Sequence, residues 1–284
     1  MGKIAEFNRN TQAEFNEMMA EQLLKGESIL QRKITGAEFL HLSPYSLKSG
    51  KIYEGVNFIT LLPVALAKLT GAFLTFNQIR ELGGKVLEGS KAHKIIFWSF
   101  SEAKDENGDA ILNKKGDPYS YAFLKRYNVF NLADTSLKDT PQEAPQREQI
   151  VQMRESICEF VKANLKRLEN PQGDGLDFNR FLACIGYHDS QRAETDMATS
   201  YDIPKHALVG ELVNLFISAK IGGDFNPILA PKFSSKWANL LNSGYIDFLK
   251  AAKVAKKIGE EMLTWEALSK VESESLKNIE LLTA

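Results

Sequence analysis

This chain is poorly supplied with the residues of covalent and metal-binding chemistry. Its 284 residues include two cysteines, Cys158 and Cys184, too few for a disulfide framework and without the paired spacing of a zinc ribbon or a redox motif. A reducing cytoplasm is the expected setting. No run of ~18 or more apolar residues occurs, and the opening stretch MGKIAEFNRN lacks the apolar centre of a signal peptide, so neither membrane spanning nor secretion is expected. The four histidines, His41, His93, His188 and His206, include no pair at the i, i+4 spacing that sets two imidazoles on one helical face around zinc.

HExxH is absent, and so are the GxSxG elbow, the GxxxxGK[ST] phosphate loop and the GxGxxG fingerprint. The glycine pairs Gly83-Gly84 and Gly222-Gly223 read as helix C-caps. His188-Asp189, with Glu194 and Asp196 nearby, reads as a solvated polar loop, and Cys184 as a small buried hydrophobe. From the residues alone no catalytic group, cofactor or metal site is expected.

Bulk charge is equally uninformative: a net charge of −1 excludes a histone-like polycation. Its distribution says more. Between His41 and Phe100 the cations are Lys48, Lys51, Lys68, Arg80, Lys85, Lys91 and Lys94, against Glu54, Glu81 and Glu88 only. This stretch is locally basic and rich in aromatic residues.

Patterning suggests an α+β fold in two parts. Residues 11–25 place Phe15, Met18, Met19 and Leu23 on one face of an amphipathic helix, with Thr11 and Glu14 as a capping box. A turn-rich loop around Pro44 and Ser49-Gly50 leads into an apolar segment at 56–62. Thr75 reads as the N-cap of a short helix in which Ile79 and Leu82 point inward and Gly83-Gly84 form the stop. Strands are expected at 85–87 and 92–100, separated by Glu88-Gly89-Ser90, then a polar insertion at 101–118 and a further strand over 121–134. Residues 136–147, with prolines and charges but little apolar content, form the expected linker between an N-terminal domain (1–135) and a mainly helical domain (148–284). Helices are expected there at 149–170, 177–185, 205–221, 232–243 and 245–282.

Three blocks carry a resemblance. SPYSLKSGKIYEGVNFITLL (43–62), FLTFNQIRELGGKVLEGSKAHKIIFW (73–98) and YNVFNLADT (127–135) resemble, in content, order and separation, the N-terminal domain of ArdC-like antirestriction proteins and TraC-type plasmid primases. The resemblance implies a domain that binds single-stranded DNA with little sequence preference, carried by plasmids, integrative elements or phages, with a host restriction or defence protein as a further partner. Binding a flexible strand without reading its bases needs cations along the backbone and aromatic faces for stacking. Lys48, Lys51, Lys85, Lys91, Lys94, Lys125 and Arg126 are the candidate cations, and Tyr45, Tyr53, Phe76 and Trp98 the candidate platforms. Those aromatics also suit a core. Asn57 either contacts the strand or pins its own turn. Glu54 departs from the pattern, standing where the family commonly has Arg.

The C-terminal half resembles the family's zincin-like domain in degenerate form. KHALVGELVNLFISAKIG (205–222) is similar to the Glu-Leu-Val-Ala-Glu helix, and FNRFLACIGYHDSQR stands where HExxH would lie. The positions of the two helical histidines fall among Asn179, Arg180, Ala183 and Cys184, and Glu211 stands where a third-ligand carboxylate is expected. Since zinc wants about four ligands and a zincin needs a glutamate base, no metal and no peptidase activity are expected. Two other readings stay open: an inhibitor that binds a host nuclease or methyltransferase with vestigial DNA contact, and a hydrolase using His188, Asp189 and Glu211 on a metal.

Overall fold

In the computed structural model the described residues are 2–103, 107–112, 116–139, 178–193 and 203–262. The elements are α1 (Gly2–Lys25), α2 (Gly36–Leu42), β1 (Tyr45–Ser46), α3 (Gly55–Lys68), β2 (Ala72–Thr75), α4 (Phe76–Glu81), β3 (His93–Glu102), β4 (Ser120–Asn131), α5 (Phe178–Ala193), α6 (Ile203–Ile221), α7 (Ala230–Asn242) and α8 (Phe248–Met262). The fold is α+β, with a mainly helical C-terminal region, as expected.

One sheet runs in the order β1-β2-β4-β3. β1 lies parallel to β2, while β4 is antiparallel to both β2 and β3. The long hairpin pairs Ile95 with Tyr127, Ile96 with Arg126, Phe97 with Lys125 and Trp98 with Leu124. α6 carries apolar residues all round its circumference and is accordingly the buried centre, packed by α5, α7 and α8. A single apolar core joins Met19 and Leu23 of α1, Phe39 of α2 and Phe58 and Leu62 of α3 to Leu212, Trp237 and Phe248 of the C-terminal helices. Asn16 of α1 ties the same halves by polar bonds: its amide donates to the Leu241 and Ile246 carbonyls and accepts from the Phe248 N–H.

Several expectations change. Helix α1 begins at Gly2, so Thr11 is not a cap. It lies mid-helix and donates to the Phe7 carbonyl four residues back at 2.8 Å, a local bond that hydroxyls make inside helices. The apolar segment at 56–62 is part of α3. Residues 85–87 form only one bridge, Val86 to Thr135, so the hairpin is β3–β4, with the polar insertion at its tip. The Thr75 capping box with Gln78 forms and Ile79 is buried, but Leu82 sits past the helix end and is 58% exposed. His188 and Asp189 belong to α5 rather than to a loop. The helix expected at 149–170, Cys158, Glu194, Asp196 and residues 140–147 lie outside the described residues.

Candidate nucleic-acid interface

Because side chains alternate across a strand, the β3–β4 hairpin has two differently furnished faces. His93, Ile95 and Phe97 share one face with Val129, Tyr127, Lys125 and Phe123. At its inner end Ile95 and Val129 are buried with Phe73 under Leu61 and Ala65 of α3. Further out that cover ends. Phe97 and Tyr127 are 45% and 44% exposed, and their rings meet edge to face with centroids 5.7 Å apart. Lys125, directly across from Phe97, holds its ammonium 5.5 Å from the centre of the Phe123 ring. Paired rings with a cation beside them form an amphipathic platform that can stack a flat ligand and neutralise an anion.

The opposite face packs inward through Ile96 and Leu124, which meet Phe15 of α1 and Leu249 of α8. Beyond them Trp98 is 50% exposed, with the Lys253 ammonium of α8 5.8 Å from its ring centre. Lys94 and Arg126 occupy the same face and both pair with Glu14 of α1. Arg126 also donates from Nε to the Thr11 hydroxyl at 2.9 Å and lies over the Phe7 ring.

The outer edge of β3 is closed by Asn57. Its amide donates to the Ile96 carbonyl at 2.7 Å and its oxygen accepts from the Ile96 N–H at 2.9 Å, so a buried side chain replaces the missing neighbouring strand. Of the two readings of Asn57, pinning is the one its geometry meets, although the bond reaches a distant strand and not its own turn. Tyr53 is half-buried against the edge of Phe73, and burial pushes its phenol upward despite a bond with Ser46. Lys48 pairs with Glu81 at 2.9 Å, and Lys51 is exposed at the end of the β1 turn. Lys85 and Lys91 are exposed on the connection into β3, where the Lys85 N–H donates to the Ser136 hydroxyl and the Lys85 carbonyl accepts from the Ser136 N–H. The fold thus gathers Lys94, Trp98 and Arg126 on one hairpin face.

Phe97, Phe123 and Tyr127 were not singled out by sequence reasoning. The period-2 pattern sets Phe97 and Ile95 on one face, but where α3 ceases to cover that face depends on packing.

The α5–α6 crossing has a different chemistry. A Cβ on Gly210 would collide with the Ala183 carbonyl oxygen, and one on Gly186 would lie 2.7 Å from Val213 Cβ, so the helices meet backbone to backbone. Glu211 is fully buried and accepts from the Ile228 and Leu229 N–H groups at 2.9 and 2.8 Å. Burial pushes its carboxyl up to about 7 against the pull of those two bonds. Asn179 accepts from the Asn226 N–H at 2.9 Å. With both Glu211 oxygens bonded to backbone and a small residue at Ala183, these positions do not fit a zinc or manganese ion. Among the described residues no group of three His, Cys, Asp or Glu could hold a metal. The Ser190 hydroxyl donates to the Tyr187 carbonyl at 2.7 Å, and its oxygen lies 2.8 Å from His206 Nδ1.

Residues 9–130 match the family model described as the N-terminal domain of anti-restriction factor ArdC. That segment is similar to the ArdC N-terminal domain. The chain is also 23% identical to two DNA primases TraC of Escherichia coli, over 91% and 93% of its own length but only 20% and 28% of theirs. It therefore spans less than a third of those relatives. A protein of Sinorhizobium fredii (strain NBRC 101917 / NGR234), the uncharacterized protein y4eC, is 23% identical over 78% of this chain and 80% of its own. In three dimensions the chain is similar to the metal-free structure of antirestriction protein ArdC from plasmid R388, at 18% identity and a TM-score of 0.62, covering 92% of this chain and 98% of that one. The Mn(II)-bound structure of the same ArdC protein gives a TM-score of 0.58 at 19% identity. The ArdC-like fold thus extends well past the matched N-terminal segment. Among the described residues no helix is long and apolar enough to cross a membrane.

Proposed function

We propose that this protein binds single-stranded DNA without sequence preference, as an antirestriction or anti-defence accessory of a plasmid or phage, and that it has no peptidase activity. One observation carries the reading: on a single hairpin face Phe97 and Tyr127 stand exposed as an edge-to-face pair with Lys125 beside them. Bases of any sequence offer a π-face for stacking, while a duplex hides those faces, so this surface favours single strands. Its relation to ArdC sets the biological context. The bonding of Glu211 and Asn179 to backbone amides supports the absence of a metallopeptidase centre. The second reading, an inhibitor that binds a host nuclease or methyltransferase with vestigial DNA contact, is favoured by the near-neutral net charge and by Glu54, but Glu54 is paired with Lys220 and Lys256.

Fluorescence anisotropy of a labelled oligothymidine and of a matching duplex, at low and moderate salt, tests the reading. Salt-sensitive preference for the single strand is expected, with an affinity loss of about 2–4 kcal/mol on the double substitution Phe97→Ala/Tyr127→Ala. Equal affinity for duplex and single strand, or no binding at low salt, would overturn it.

A further inference from the structure

We propose that a single strand is also held on the opposite face of the hairpin, where Trp98 leads onto a lysine ridge of α8, so that the C-terminal half supplies part of the DNA-binding surface. This rests on the single-strand reading above and extends it to residues outside the N-terminal domain.

The hairpin and α8 are joined where the ridge begins. Leu249, in the first turn of α8, packs against the cluster formed by Phe15 of α1 with Ile96 and Leu124 of the hairpin. One turn later Lys253 reaches the exposed ring of Trp98, 5.8 Å from its centre. Lys250, Lys253 and Lys257 are exposed at i, i+3 and i+7, one stripe along the helix, while Ala251, Ala252, Ala255, Ile258 and Met262 bury the other side. From Lys250 to Lys257 the stripe spans about 10 Å of helix axis. Lys256, off the stripe, is engaged by Glu54 and Glu260. Lys257 has a salt bridge of 3.5 Å to Glu261, both side chains well exposed, a pairing weak enough to yield to a phosphate.

An exposed indole flanked by a cation and continued by further cations at helical spacing suits a stacked base whose backbone runs on along the ridge. A duplex could use the lysines but not the ring. The occupant is therefore a single strand, bound by charge along α8 and by stacking at Trp98.

The test uses the full chain and a labelled 30-nucleotide oligothymidine titrated over a range of salt. Lys253→Glu/Lys257→Glu is compared with Phe97→Ala/Tyr127→Ala and with Lys232→Glu/Lys236→Glu, a charge-matched control on exposed lysines of α7. The ridge variant is expected to lose about tenfold or more in affinity, with a log–log salt slope shallower by about 1.4, roughly 0.7 for each lost phosphate contact. Trp98→Ala is expected to weaken binding and Trp98→Phe to restore most of it. Parent-like affinity and slope for the ridge variant, while Phe97→Ala/Tyr127→Ala loses binding, would overturn the ridge and leave the single-strand reading standing. An equal loss in the α7 control would overturn the ridge too, since it would mark a general field effect. Failure of the parent chain to bind would remove the underlying reading itself.

Discussion

The Glu54 carboxylate, at the N-terminal end of α3, lies 2.8 Å from the Lys256 ammonium of α8 and 3.4 Å from that of Lys220 on α6. An anion from the first half of the chain is thus closed by two cations from the second. Burial by itself would raise the Glu54 carboxyl, but the bonds and charges of Lys256 and Lys220 outweigh it and hold the group below the usual carboxylate range. The result is an internal ion-pair hub in which the negative charge of Glu54 is largely cancelled before it meets any ligand.

Glu54→Gln is accordingly expected to act on stability more than on binding. The partners are partly exposed, so solvent screening limits the loss to about 0.5–1 kcal/mol, a fall of a few degrees in Tm. Affinity for single strands should stay within about twofold. Calorimetry and anisotropy on the same preparation check both halves, and a large gain in affinity would mean that the Glu54 charge does reach the strand.

Glu211 should give the protein a pH-dependent stability. In the unfolded chain its carboxyl titrates near 4.5 and in the folded chain near 7. Its contribution is present in full below pH 4.5, declines as the pH rises, and is gone once the pH passes about 7. The difference corresponds to about 3 kcal/mol. Urea unfolding between pH 4.5 and 8 should show this fall, and Glu211→Gln should remove it. A parent chain whose stability is flat across that window would contradict the assignment.

Asn57→Ala would leave both backbone groups of Ile96 without a partner in a buried setting. Each such group costs about 1–3 kcal/mol, so a total of about 2–6 kcal/mol is expected. Asn57→Asp, which keeps the acceptor but not the donor, should also destabilise. Faster hydrogen exchange at Ile96 than in the parent is the specific sign that the edge of β3 has opened.

Gly210→Ala adds one methyl group where the α5–α6 crossing has no room, since the new carbon would meet the Ala183 carbonyl oxygen. Overpacking of this kind costs about 1–3 kcal/mol or more. A melting curve decides it, and an unchanged Tm would show that α5 and α6 can separate at little cost.

Metal analysis of purified protein is expected to find neither zinc nor manganese in stoichiometric amount, and a chelator should leave Tm unchanged. A shift of several degrees on adding either ion would point to a site built from other ligands.

Local signals were reliable where the physics is local. The Thr75–Gln78 capping box forms because both partners lie within one helical turn, and Gly83 adopts φ = 74° as a helix stop. Thr11 and Glu14 carry the same short-range signature, yet Thr11 is mid-helix and bonded to Arg126, and Glu14 pairs with Lys94 and Arg126. Distant strand residues claimed both. Tyr53 and Asn57 illustrate the same limit from the other side: their types suit a ligand, but Phe73 and Ile96 absorb them into packing.

The sequence by itself determined the α+β class, the kinship with the ArdC N-terminal domain and the absence of an HExxH motif, because each rests on residue types at short, fixed spacing. Tertiary structure alone decided which rings of the β3–β4 hairpin remain open, that Asn57 closes the strand edge, and that Glu54 is neutralised from α6 and α8. Exposure and charge pairing are properties of what packs above a residue, and here the covering groups lie tens to hundreds of positions away, beyond the reach of any periodicity in the chain.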